Sequence, residues 1–206
     1  MIEFQTGGGR HDGTRIVTAS FDRTVRLWDA TTGQEITALR GHESSVSSAS
    51  FSPDGAQIVT ASDDRTARLW DATTGVEIIA LCGHEDVVRS ACFSPDGTRI
   101  VTASDDRTAR LWDVIMGKAI LALCGHEGGV RSASFSPDGT RILTGSDDRT
   151  ARIWNAANGH EITRIVLDAA VTALAVHDGD IALGDALGRI HVFEAAEYLG
   201  ESRPAS

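Results

Sequence analysis

The stretch Phe93–Asp113 reads FSPDGTRIVTASDDRTARLWD, and the rest of the chain is built from copies of it. The same unit stands almost unchanged at Phe51–Asp71. It recurs at Phe135–Asn155 with Thr-Gly-Ser in its middle and Trp-Asn at its end, and truncated copies stand towards both ends of the chain. The tryptophans Trp28, Trp70, Trp112 and Trp154 are spaced by 42 residues (70−28, 112−70, 154−112). The pairs Gly41-His42, Gly83-His84 and Gly125-His126 keep the same period, as do the turns Pro53-Asp54-Gly55, Pro95-Asp96-Gly97 and Pro137-Asp138-Gly139. A fixed period in this range marks a repeat architecture and outranks local propensity in deciding the fold.

Within one unit the segments are short, β-rich and closely punctuated by turn residues, which leaves no room for long helices. In the second unit, strands are expected at Ser45–Phe51, Gln57–Ser62, Thr66–Trp70 and Glu77–Leu81. They are separated by Pro53-Asp54-Gly55, Asp63-Asp64-Arg65 and Thr73-Thr74-Gly75. Four antiparallel strands per unit make a small twisted sheet. The inner strands, such as Ile100-Val101-Thr102-Ala103, are apolar or small on both sides, so both faces must be covered. Identical sheets stacked around an axis satisfy this, and that arrangement is a β-propeller.

The whole-chain numbers agree with such a domain. A chain of 206 residues with 41% hydrophobic and 23% charged content is ordinary for a folded protein and far from the disordered class. The net charge of −10 argues against binding a nucleic-acid backbone, which needs a Lys/Arg surplus. No run approaches the roughly 18–20 apolar residues of a membrane-spanning helix, and MIEFQTGGGR has no secretory pattern. Cys82, Cys92 and Cys124 lack metal-binding spacing. They read as reduced, mostly buried small residues of a cytoplasmic protein, and neither cofactor nor metal is expected.

With Gly-His, a strand-turn-strand stretch and then Trp28-Asp29, Trp70-Asp71 and Trp112-Asp113, the chain resembles the WD-repeat β-propeller family; Trp154-Asn155 is a mild departure. The likeness covers residues 12 to 155 strongly and 156 to 194 weakly. It implies one propeller array over 1–206, with blades at about 1–40, 41–82, 83–124, 125–166 and 167–200. As a guide to role it implies little, since a propeller carries many unrelated functions.

Each complete unit repeats a His, a Thr, an Asp and a Trp. The sets are His42, Thr60, Asp64 and Trp70; His84, Thr102, Asp106 and Trp112; and His126, Thr144, Asp148 and Trp154. Out of context a His with an Asp and a hydroxyl suggests a nucleophile and its base. A catalytic site occurs once, however, and this set occurs three times. The resemblance implies a structural network, with the Asp accepting from the His and the hydroxyl linking the His to the indole N–H. Arg26, Arg68, Arg110 and Arg152 fall on the Trp side of the third strand and are expected to form ion pairs between adjacent blades. Arg23, Arg65, Arg107 and Arg149 read as solvated charges at hairpin tips. The Asp-rich tips lack the ordered spacing of a calcium loop.

Family members commonly bind partners on the face around the central channel. The matching positions here are Ser45, Ser47 and Asp63; Val87, Arg89 and Asp105; and Gly129, Arg131 and Asp147, with Phe21 replacing the acidic residue in the first unit. Phe21 reads equally as an interface anchor or as a side chain packed on a neighbouring blade. The first blade has no Gly-His, and its first strand would have to come from Phe4–Gly9, where three glycines make a poor strand. The last unit carries Phe193-Glu194 in place of Trp-Asp and resembles terminal propeller blades of bacterial STAND-type signalling NTPases. Five blades, one cut and one divergent, suggest an incomplete ring that belongs to a larger protein or is completed by a second chain, with a homo-oligomer as one form of this. The expected role is a non-enzymatic scaffold or sensor presenting this face to a protein or peptide. The alternatives are a propeller enzyme with its site at the channel, or a fragment without independent activity.

Overall fold

The computed structural model describes the backbone of residues 3–5 and residues 13–177, 180–194 and 198 in full. The first sheet holds β1 (Glu3–Gln5), β2 (Arg15–Ala19), β3 (Thr24–Asp29) and β4 (Glu35–Arg40). The second holds β5 (Val46–Phe51), β6 (Gln57–Ser62), β7 (Thr66–Asp71) and β8 (Glu77–Cys82). The third holds β9 (Val88–Phe93), β10 (Arg99–Ser104), β11 (Thr108–Asp113) and β12 (Ala119–Cys124). The fourth holds β13 (Val130–Phe135), β14 (Arg141–Ser146), β15 (Thr150–Asn155) and β16 (Glu161–Val166). The fifth has three strands: β17 (Val171–His177), β18 (Asp180–Asp185) and β19 (Ile190–Glu194). Every sheet is an antiparallel meander in chain order. No helix of the described residues is long and apolar enough to cross a membrane.

The turns follow from residue chemistry. At Pro53-Asp54-Gly55 the Asp54 carboxylate accepts from the Ser52 hydroxyl (2.6 Å) and the Ala56 N–H (3.0 Å), and Gly55 takes the φ of 71° that closes the turn. The Asp of each Trp-Asp pair caps the next turn: Asp71 Oδ1 accepts from the N–H groups of Thr73 (2.9 Å) and Thr74 (2.7 Å). Asn155 supplies the same oxygen to Ala157 and Asn158, so only an acceptor is required there. Arg23, Arg65, Arg107 and Arg149 carry φ values of 67–70°, the left-handed region that an L-residue enters at a cost of about 1–2 kcal/mol. The tips are thus strained backbone as well as solvated charge.

The core lies between sheets. Ile100 pairs with Trp112 on one face of the third sheet and Val101 with Leu111 on the other. Val59, Leu69 and Leu81 of the second sheet pack on Phe93, Ile100 and Trp112 of the third, and the same exchange joins the third to the fourth. Each such side chain contributes roughly 1.5–3 kcal/mol on burial. Polar ties also cross these interfaces. Arg15 donates to Gly55 O (2.9 Å) and lies over the Phe51 ring, and Arg99 does the same to Gly139 O (2.9 Å) and Phe135.

The array does not close: among the described residues the fifth sheet does not pack back on the first. Val192, at the register position of Ile153, is 64% exposed where its counterpart is 1% exposed. Two expectations change. The first strand of the first sheet is β1, three residues pairing Glu3 with Ala19 and Gln5 with Val17, and the expected glycine run lies outside the described residues. Cys82 and Cys124 are exposed, because as the last residues of β8 and β12 they point away from Leu81 and Leu123, which take the buried positions. Cys92 is partly buried, and its thiol is pushed up to about 11 by desolvation.

Candidate functional site: the polar network and the inner rim

The three His-Thr-Asp-Trp sets adopt one geometry. In the second sheet the Trp70 indole N–H donates to Thr60 Oγ1 (2.9 Å), Thr60 meets His42 Nε2 (2.7 Å), and His42 Nδ1 meets Asp64 Oδ2 (2.7 Å). The third and fourth sheets repeat these distances within 0.1 Å. Donor order fixes the tautomer: the indole donates to the hydroxyl, the hydroxyl to Nε2, and Nδ1–H to the carboxylate. One residue absent from the sequence reading completes the set. Thr66, with its copies Thr108 and Thr150, gives both its hydroxyl (2.6 Å) and its N–H (3.0 Å) to the other oxygen of Asp64. Glu43 N–H adds a further bond to Asp64 (3.0 Å). The imidazoles are buried and every polar atom on them is used, so the sets have no group left to serve a substrate.

The first and fifth sheets show what the set replaces. Trp28 still donates to Thr18 (2.9 Å), and among the described residues no histidine meets Asp22, which Arg26 reaches (2.6 Å). In the fifth sheet Leu183 takes the threonine position and Phe193 that of the tryptophan. Asp185, buried, accepts there from His191 (3.0 Å) and Arg189 (2.7 Å) and is held well below the usual carboxylate range, chiefly by His191.

Three of the four arginines beside the tryptophans pair within their own sheets, and Arg110 has no carboxylate within 4.0 Å among the described residues. Arg68 meets Glu77 (2.7 Å) and Arg152 meets Glu161 (2.7 Å), each across adjacent strands; Arg26 approaches Glu35 (3.5 Å). The expected pairs between adjacent blades do not form there, because a glutamate one strand away lies on the same face. They form instead at the inner rim. Ser47, Arg89 and Arg131 are each the extra residue of a β-bulge in the innermost strand, and a bulge re-aims the side chain that it inserts. Arg89 binds Asp105 of its own sheet and reaches Asp63 of the preceding one (3.7 Å). Arg131 binds Asp147 (2.6 Å) and reaches Asp105 (3.4 Å). Its guanidinium is held further towards the charged form, first by Asp147. Ser47 donates to Asp63 (3.1 Å), so one ladder runs Ser47–Asp63–Arg89–Asp105–Arg131–Asp147. Part-exposed pairs of this kind contribute roughly 0–1 kcal/mol each.

The backbone builds the same rim. Asp63, Asp105 and Asp147 donate their N–H groups to the carbonyls of Ser45, Val87 and Gly129 (2.9 Å each), joining the hairpins to the inner strands. All nine of these rim positions are partly exposed, and Phe21 is 65% exposed at the first hairpin. Sequence spacing found the nine positions but not the bulges, because a bulge is a property of pairing and no residue type in VSS or VRS announces one.

Stacked antiparallel sheets, three of them carrying this network, define a repeat protein of the β-propeller type. Residues 10–29, 33–71, 75–113 and 117–155 match the WD40 family (WD domain, G-beta repeat), and the chain belongs to that family. It is 52% identical over 42 residues to guanine nucleotide-binding protein subunit beta-1 of Caenorhabditis briggsae, covering 20% of this chain and 12% of that protein. It is 47% identical over 38 residues to the human peroxisomal targeting signal 2 receptor, covering 18% of this chain and 12% of that protein. Each match is about one repeat long and spans a small fraction of the relative.

Two predictions follow the network. Replacing Asp64 by Ala leaves the buried His42 imidazole and the Thr66 groups without their acceptor, and costs about 1–3 kcal/mol; denaturant melts of Asp64→Ala that matched the parent would contradict the network. The second concerns acid. Desolvation holds His84 and His126 below their ordinary 6.5, against the pull of Asp106 and Asp148. Burial works to raise Asp64, Asp106 and Asp148, but the bonds from His and Thr outweigh it, and Asp148 falls to about 2. In both classes the folded value lies below the unfolded one, so the unfolded chain binds the extra protons and stability drops as pH falls. The melting temperature should therefore be flat between pH 9 and 6.5, decline below 6.5 as the unfolded chain takes up the histidine protons, and decline again below 3.8. A melting temperature that climbs on acidification from neutral pH would show the opposite sign.

Proposed function

We propose that the chain is a non-catalytic interaction scaffold or sensor that presents the inner rim to a protein or peptide of mixed charge. The observation carrying this reading is the rim ladder, in which Asp63, Asp105 and Asp147 alternate with Arg89 and Arg131, all part-exposed. Each arginine there is already held in place by its neighbours, so a partner meets a preset pattern of charge and little ordering entropy is lost on binding. Phe21 stands exposed at one end of the rim, as a large anchor for an apolar residue of the partner. The repeated His-Thr-Asp-Trp sets favour a scaffold over a catalyst, since their bonds are spent on the sheet. The two relatives are named as a subunit and as a receptor for a targeting signal. A place in a signalling assembly of the cytoplasm, alone, as part of a larger protein or joined to a second copy, is consistent with that company.

The repeats supply substitutions that their own siblings tolerate. Serine occupies the bulge in the second sheet and aspartate the hairpin position in three sheets, so Phe21→Asp/Arg89→Ser/Arg131→Ser should keep the parent's cooperative melt. Affinity capture from cell extract with mass spectrometry should show the parent's specific partners lost from this variant. The same partners retained at the same yield would remove the rim from consideration.

A further inference from the structure

The third sheet departs from its siblings at its outer edge. The outer strands β4, β8 and β16 each open with a glutamate, Glu35, Glu77 or Glu161, and each glutamate approaches the arginine beside its tryptophan. In β12 that position is Ala119, and the strand AILALC carries no charge at all. Arg110, partly buried at the position of Arg68 and Arg152, therefore has no carboxylate within 4.0 Å among the described residues, and exposed Lys118 has none either. The Nε atoms of Arg68 and Arg110 are both buried without an acceptor, so the missing carboxylate is what sets Arg110 apart.

The adjoining turn changes too. Thr73-Thr74 of the second sheet becomes Ile115-Met116, 89% and 58% exposed. The turn itself does not need them: Asp113 still accepts from both N–H groups (2.9 and 2.7 Å), and Gly117 still fits against Ile79 of β8, where a Cβ would come within 2.2 Å. Ile120 beside them is 47% exposed at the outer-strand bulge that all four full sheets share. Beyond the bulge, Leu121–Cys124 is a regular edge whose far side pairs with no strand among the described residues. Edge strands are ordinarily guarded by charge, and this one alone among the four has none.

We infer that the outer edge of the third sheet is a second docking site, for an extended acidic segment of another protein. The segment pairs its backbone with Leu121–Cys124, rests apolar side chains on Ile115, Met116 and Ile120, and places a carboxylate on Arg110. The small side chains of Ala119 and Ala122 leave the approach to that guanidinium open. Charge selects the occupant: Arg110 and Lys118, two cations without a carboxylate partner among the described residues, flank an edge strand that carries no charge of its own and favour an acidic segment. The site is independent of the inner rim.

The test uses a blocked seven-residue peptide of β-branched residues with one central glutamate, and its glutamine twin, titrated by calorimetry into the whole chain. The glutamate peptide should bind at least tenfold more tightly. Ala119→Glu, which gives Arg110 the internal partner that its siblings have, should abolish that preference. Ile115→Thr/Met116→Thr, which restores a sibling's turn, should weaken both peptides by a similar factor while keeping the preference. Equal binding of the two peptides, binding of neither, or a preference untouched by Ala119→Glu would overturn the inference. So would a parent dimer, seen by light scattering, that Ala119→Glu dissolves and the peptides do not displace, because the edge would then belong to a second copy.

Discussion

A sheet that is apolar on both faces must be covered on both faces, and the rest of this structure depends on that constraint. Inside the second, third and fourth sheets, Ile100 with Trp112 and Val101 with Leu111 and their copies leave no wet side. Stacking the sheets removes both faces from water at once, and the 42-residue period follows because every sheet needs the same complement on either side. The polar network serves the same end. A tryptophan large enough to seal an interface brings an indole N–H into it, and Thr, His and Asp carry that hydrogen bond outwards to a hairpin tip.

Repetition also separates structural from functional residues without any second protein for comparison. Where three or four copies agree, the residue is explained by the sheet. Where one copy departs and the fold is unchanged, the departure is free to serve something else. By that measure Phe21, the bulge arginines Arg89 and Arg131, and the Ile115-Met116-Ala119 edge are the informative places, while the imidazole-carboxylate pairs are not. The fifth sheet departs in another way: it rebuilds a buried carboxylate with Arg189 and His191 and leaves Val192 open to solvent.

Much of this was legible in the sequence because period and turn chemistry are local. Gln57–Ser62 begins and ends where the Pro-Asp-Gly and Asp-Asp-Arg turns place it. The rim positions followed from their fixed distance after each Gly-His. What escaped depends on pairing or on the neighbouring strand. The bulges at Ser47, Arg89 and Arg131 are visible only in the register. Arg68 and Arg152 were expected to reach across blades, yet the nearest carboxylate lay one strand away in the same sheet. Cys82 and Cys124 looked buried by residue type, but strand alternation gave the inward place to leucine. The left-handed arginines of the tips carry no signal at all in their residue type.

The central claim is that three tryptophans are sealed between stacked sheets and tied to the His-Asp pair, while Trp28, among the described residues, is tied to Thr18 alone and in a less covered place. Solvent exchange of the indole N–H protons, followed by nuclear magnetic resonance, tests this directly. The indoles of Trp70, Trp112 and Trp154 should exchange slowly and at similar rates, with Trp28 clearly faster. Four indoles exchanging alike, or a fast Trp112 at the centre of the array, would contradict the account.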